Sequence, residues 1–152
     1  MKTVLFPGSF DPFTLGHADI VSRSLTLFDK IVIAVGYNVE KPGWISVAER
    51  VEALRRLYAK EKRVQVEQYT GLTVDFAKEV EATAILRGVR SLKDYEYERE
   101  IAQVNRMLTG LETILLMADP QLSSISSSTV RELAYFGHDI QEYLPMGLKY
   151  NR

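Results

Sequence analysis

The chain has 152 residues, 46% hydrophobic and 26% charged, enough for one domain with a real core and too few for two comfortable ones. Its 19 Lys and Arg balance 20 Asp and Glu, so no global positive field gathers a polyanion, nucleic acid is not an expected partner, and any phosphate must be held by locally grouped cations. The absence of cysteine removes disulfides, thiolate catalysis and thiolate metal sites, and fits a reducing compartment.

The amino terminus has one Lys and a four-residue strand, Thr3-Val4-Leu5-Phe6, before Pro7. That is far short of a signal-peptide core, and no run reaches membrane-spanning length, so the cytoplasm is the expected location and no membrane is expected as partner. Next comes the turn Gly8-Ser9-Phe10-Asp11-Pro12-Phe13-Thr14-Leu15-Gly16-His17, and then Val21, Leu25 and Phe28 at i, i+4, i+7, one face of a helix that Gly16-His17 opens. Ile31-Val32-Ile33-Ala34-Val35 is the second strand, and the segment Asn38 to Ile45, with Pro42 and Gly43, is the longest apparent loop. Ser46-Val47-Ala48-Glu49 forms a capping box ahead of Val47, Val51, Leu54 and Tyr58 on one helical face.

Val64-Gln65-Val66, Ala84-Ile85-Leu86 and Thr113-Ile114-Leu115-Leu116-Met117 are the further strands, and the nearly continuous apolar runs suggest burial on both faces of a parallel sheet. Between them, Leu72, Phe76 and Val80 mark one helix and Tyr97, Ile101, Val104 and Leu108 a longer one, whose Tyr97 reads as core or interface. Thr129-Val130-Arg131-Glu132 reads as a second capping box, with Gly137 as the stop and the tail beyond it as a short helix followed by irregular chain. Strand then helix, repeated about five times, predicts an α/β fold: a doubly wound parallel sheet in a single domain over residues 1–152.

The first glycine-rich turn is neither a P-loop nor a dinucleotide fingerprint. A lone His at a helix start is most often a cap or a surface residue, and clustered serines are usually turn residues with a cap. Two such helix starts at strand exits of one sheet are a stronger signal, because backbone N–H groups and the helix dipole attract phosphate there. Arg87 and Arg90 flank Gly88 at another strand exit; they read either as phosphate ligands or as surface charges paired with Asp94 or Glu98.

Thr14-Leu15-Gly16-His17 and Ile125-Ser126-Ser127-Ser128-Thr129-Val130-Arg131 resemble the two signature motifs of the nucleotidyltransferase superfamily, T/H-x-G-H and I-S-S-S/T-x-x-R. Pro7-Gly8-Ser9-Phe10-Asp11-Pro12, Lys41, Arg87-Gly88-Val89-Arg90 and Asp94-Tyr95-Glu96-Tyr97-Glu98 resemble the bacterial phosphopantetheine adenylyltransferases, nearly end to end. The resemblance implies a Rossmann-like nucleotidyltransferase fold and transfer of the adenylyl group of ATP to 4'-phosphopantetheine. It implies Mg²⁺ carried with ATP and no dedicated protein metal site, a homohexamer, and coenzyme A as a feedback ligand.

By the same resemblance, His17, Lys41 and Arg90 are catalytic, with His17 a hydrogen-bond donor to the α-phosphate. Ser9, Lys41, Leu72, Thr73 and Arg87 would bind phosphopantetheine. Ser9, Phe10, His17, Gly88, Val89, Arg90, Glu98 and the run Leu122, Ser123, Ser124, Ile125, Ser126, Ser127, Ser128 would bind ATP. Leu122 stands where some relatives carry an aromatic residue, and Thr73 where a longer apolar side chain often lines the pantetheine arm. The rival readings are another adenylyl- or cytidylyltransferase of the superfamily, distinguished by the acceptor-binding segments, and a nucleotide-sensing module without turnover.

Overall fold

The computed structural model of the chain describes residues 1–150. Its strands are β1 (Thr3–Gly8), β2 (Lys30–Gly36), β3 (Val64–Tyr69), β4 (Ala84–Val89) and β5 (Glu112–Met117). Each is followed by a helix: α1 (Leu15–Ser24), α2 (Val47–Leu57), α3 (Thr73–Glu79), α4 (Leu92–Thr109) and α5 (Ser127–Tyr135). A single 3-10 turn at Gln141–Tyr143 precedes the irregular tail. The strands form one sheet in the order β3-β2-β1-β4-β5, with every neighbouring pair parallel, as the doubly wound reading predicts. The order reverses between β1 and β4, and a doubly wound sheet binds its ligands in the crevice beyond the strand ends at that switch point.

Side-chain alternation divides the core between the two faces of the sheet. Val4 and Phe6 of β1 and Ile31, Ile33 and Val35 of β2 pack with Ile20 and Val21 of α1 and Val51 and Leu54 of α2. Leu5, Val32, Ala34 and Ile85 point the other way, against Val74 and Ala77 of α3. A period of two on a sheet covered on both sides is why these strands read as unbroken apolar runs. From the tail, Leu144 and Leu148 are buried in the first of these clusters.

Three helices differ from the sequence reading, the first being α1, which ends at Ser24, short of the Leu25 and Phe28 of its predicted face. α5 starts at Ser127, capped by Ser126, whose Oγ accepts from the Thr129 N–H at 3.1 Å, so the cap lies three residues ahead of the Thr129–Glu132 box. The physical reason is tertiary: the Ser127 hydroxyl donates to the Pro12 carbonyl at 2.7 Å, which draws the helix start onto the β1–α1 turn. In α4 the stripe Tyr97, Ile101, Val104 and Leu108 is 37% to 61% exposed, and Tyr97 is not a core residue. The one residue of α4 that is buried is Glu98, because that helix turns an acidic position toward the sheet end.

Candidate active site

The turn after β1 is built to expose backbone at the switch point. A Cβ on Gly8 would come within 2.9 Å of the Phe10 ring, so glycine alone lets the chain fold back over the strand exit. Phe10 has φ +50°, the left-handed region that bulky side chains rarely enter, and burial of its ring between Phe6 and Phe13, with centroids at 5.2 and 5.4 Å, holds it there. Three side chains from two helices grip the carbonyls of this turn. Ser9 O accepts from Arg50 of α2 at 2.6 Å, Asp11 O from Arg131 of α5 at 2.7 Å, and Pro12 O from Ser127.

Thr14 caps α1, and His17 completes the cap reciprocally. The Thr14 hydroxyl accepts from the His17 N–H, and His17 Nδ1 accepts from the Thr14 N–H at 3.0 Å. A histidine thus does at the third helical position what Glu or Gln does in a capping box. Because Nδ1 accepts, the proton of the neutral ring sits on Nε2. Phe10 meets the imidazole edge-on with centroids 5.0 Å apart and Phe13 lies at 5.3 Å. The residue is half-buried and lines the first cavity, with its ring packed among Phe6, Phe10 and Phe13. That burial, and then the charges of Arg87 and Arg90, draw its pKa from 6.5 to about 3.

At the exit of β4, Arg87 makes a two-pronged ion pair with Glu98, Nε to Oε2 at 2.9 Å and Nη2 to Oε1 at 2.8 Å, and its Nη1 donates to the Pro7 carbonyl. Arg90 pairs with Asp94 at 3.3 Å. Both readings of these arginines therefore hold together: they are paired, and both line the cleft. Gly88 lets α1 pack closely, since a Cβ there would sit 3.3 Å from the Ile20 side chain and push it back by a few tenths of an ångström.

Two cavities open at the switch point. The first, about 400 Å³, lies between the β1–α1 turn, the β4 exit and the start of α5, and is lined by Ser9, Phe10, Thr14, Gly16, His17, Gly88, Arg90, Leu122, Ile125, Ser126, Ser127, Ser128 and Arg131 among others. The second, about 570 Å³, runs from Gly36, Tyr37 and Asn38 past Tyr69, Leu72 and Thr73 to α4, where Ile101, Asn105 and Leu108 form its wall. Pro7, Gly8, Ser9, Arg87, Tyr97 and Glu98 line both.

The chain matches the cytidylyltransferase-like family over residues 5–133. It is 50% identical to the phosphopantetheine adenylyltransferase of Phocaeicola vulgatus over 98% of this chain and 99% of that protein. It is 52% identical to that of Porphyromonas gingivalis over 94% of each chain, and 44% identical to that of Levilactobacillus brevis over 95% of this chain and 91% of the other. The chain belongs to the phosphopantetheine adenylyltransferase family. A solved bifunctional NMN adenylyltransferase/ADP ribose pyrophosphatase from Francisella tularensis shares the fold, with a TM-score of 0.67 at 16% identity over 94% of this chain and 44% of that one.

Most of the residues that the phosphopantetheine adenylyltransferase resemblance singles out line one cavity or both. Ser9, Phe10, His17, Arg87, Gly88, Arg90, Glu98, Leu122, Ile125 and Ser126 to Ser128 line the first cavity, and Leu72 and Thr73 the second, where the Thr73 hydroxyl is 2.9 Å from that of Tyr69. Lys41, Val89, Ser123 and Ser124 line neither. Val89 is buried in the sheet, the Ser123 hydroxyl turns back to the Pro120 carbonyl, and Lys41 is exposed in the β2–α2 loop, bridged to Asn38. Among the described residues no three His, Asp or Glu converge as metal ligands, and no helix is long and apolar enough to cross a membrane.

Sequence reasoning passed over Tyr69 and Asp94 as site residues, gave Thr14 and Arg131 a place only in the two signature motifs, and passed over the buried Asp11 and Arg50. For Arg50 a signal existed. Position 50 lies at i+3 from Val47 and i−4 from Leu54, inside the apolar stripe of α2.

Proposed function

We propose that this phosphopantetheine adenylyltransferase places ATP in the first cavity and 4'-phosphopantetheine in the second, and forms dephospho-coenzyme A and pyrophosphate in a step of coenzyme A biosynthesis. The observation that carries this reading is the shared wall, Pro7 to Ser9 with Arg87 and Glu98, where a ligand in each cavity would meet the other. A phosphate oxygen of the acceptor attacks the α-phosphorus; that bond forms as the bond from the α-phosphorus to the bridging oxygen breaks, and the electron pair leaves with pyrophosphate. The attacking oxygen is anionic at neutral pH, so no base has to take a proton from it.

The protein then supplies position and charge stabilisation. His17 Nε2–H donates to the α-phosphate as charge gathers on its oxygens, a role for a ring that is neutral and whose tautomer Thr14 sets. The pairing of Arg87 with Glu98 fixes the guanidinium so that its remaining N–H groups meet the acceptor phosphate, and Arg90 with the α5 N-terminus faces the triphosphate. Mg²⁺ enters as part of the nucleotide substrate. Lys41 closes on the acceptor phosphate from its loop. Self-association as a homohexamer belongs to this reading through the family resemblance. Coenzyme A, which contains both an adenosine and a pantetheine arm, suits the same two cavities as a feedback ligand, and a cysteine-free sequence fits the cytoplasm.

Four substrate pairs assayed side by side with Mg²⁺ test the reading. ATP with 4'-phosphopantetheine is expected to release pyrophosphate far faster than ATP with nicotinamide mononucleotide or CTP with glycerol 3-phosphate. Uncharged pantetheine, lacking the anionic nucleophile, is expected not to react. Preference for either rival pair, or no pyrophosphate from any, would overturn it.

A further inference from the structure

The β2–α2 loop is tied at its ends and not at its tip. Its tip is a self-contained turn, in which Lys41 N–H donates to Asn38 O at 3.0 Å and Glu40 N–H to Asn38 Oδ1 at 2.9 Å. At the exit of the loop, the Asp11 carboxylate accepts from the Trp44 and Ile45 N–H groups at 2.8 and 2.9 Å. Arg50, at the start of α2, donates to Ile45 O at 2.8 Å and to Ser9 O, and reaches Gly36 O at the entrance of the loop at 3.5 Å.

Asp11 is 6% and Arg50 3% exposed. Burying a carboxylate and a guanidinium is costly, and apolar residues of the same volume usually serve packing better. What the two charged groups add is a fixed geometry among backbone segments that no apolar pair could hold. The loop is also shaped to accept the contact: Gly43 has φ +79°, and a Cβ there would stand 2.7 Å from Asp11 Oδ2.

We infer that Asp11 and Arg50 are positioning residues for the acceptor, a buried clamp that sets the Lys41 loop as one unit against the Ser9 turn. The inference rests on the acceptor reading above. The clamp touches no ligand itself; it decides where Lys41 can reach. Three perturbations strike it from different sides: Gly43→Ala wedges the loop off Asp11, Asp11→Asn removes one of the two acceptors, and Arg50→Lys keeps the charge but cannot span three carbonyls.

Each variant is titrated calorimetrically with ATP and with 4'-phosphopantetheine separately. The acceptor dissociation constant is expected to rise about 10-fold or more while that for ATP moves less than about 3-fold, the scale of a misplaced binding group. Gly43→Ala is also measured on a Lys41→Ala background, where it is expected to add less than about 2-fold, because the two changes act through one contact. Equal loss for both ligands, unchanged acceptor affinity, or full additivity with Lys41→Ala would overturn the clamp. If Arg50→Lys does not fold by thermal melt, the Gly43→Ala cycle decides alone. Wild-type protein that forms no dephospho-coenzyme A would overturn the acceptor reading itself, whereas an active wild type with an unaltered Gly43→Ala variant overturns only the clamp.

Discussion

His17 is kept neutral by its surroundings, since burial among phenylalanine rings and two nearby arginines penalise the imidazolium. Between its ordinary pKa of 6.5 and about 3, the unfolded chain binds a proton there that the folded chain does not. Stability is therefore lost as pH falls through that window, by at most about 1.4 kcal/mol per pH unit. His17→Ala is expected to flatten this slope in urea unfolding at pH 7, 6 and 5, and to lower kcat by about 10²- to 10³-fold, the worth of one transition-state donor. Parallel acid slopes in the two proteins would contradict the neutral ring, and a near-normal kcat would contradict the donor role. His17 was legible in the sequence because it sits in a motif. Arg50 was not, because residue type argues for exposure, and only its place in the apolar stripe of α2 argued otherwise.

For strands and helices, legibility followed how completely a neighbour covers each face. β1, β2 and β4 are buried on both sides, so their apolar runs identify them without ambiguity. The α4 stripe has equally clear periodicity, but periodicity shows that residues share a face and not what covers it; here that face is the open wall of the second cavity. The start of α5 was displaced because Ser126, Ser127, Ser128 and Thr129 are all competent caps, and a bond to Pro12 selects among them. The α1 cap went unrecognised because its reciprocal partner is a histidine. Thr14→Ala removes the hydroxyl half of that cap while sparing the backbone donor to Nδ1, so a loss of about 1 kcal/mol in stability is expected. Turnover is expected to fall far less than in His17→Ala, and a comparable fall in kcat would mean that the hydroxyl itself serves the reaction.

Across the whole molecule, the least legible part was the tail after Gly137, read as a short helix followed by irregular chain: the short helix is the 3-10 turn Gln141–Tyr143, but the buried role of the tail was not read. The tail closes the α1–α2 side of the sheet with Leu144 and Leu148, 5% and 1% exposed. Beyond them, the Tyr150 hydroxyl, with a pKa pushed up by burial to about 12, accepts from the Phe13 N–H at 3.2 Å. Irregular backbone carries no period, so nothing in its pattern announces a buried role. Leu148→Ala is expected to cost about 2 to 5 kcal/mol by the usual scale for a core leucine, read as a shifted urea midpoint at unchanged slope; a cost under about 0.5 kcal/mol, the range of ordinary surface substitutions, would mean the tail is ornamental to the core.

The common wall of the two cavities has a consequence of its own. With nucleotide and acceptor in the two cavities as proposed, neither ligand meets a surface indifferent to the other, because Ser9, Arg87 and Glu98 border both. Thermodynamic reciprocity then requires that the factor by which bound nucleotide changes acceptor affinity equal the factor by which bound acceptor changes nucleotide affinity. A substitution in that wall can shift each ligand's own affinity by a different amount, yet the coupling factor it leaves must come out the same whichever ligand is titrated first.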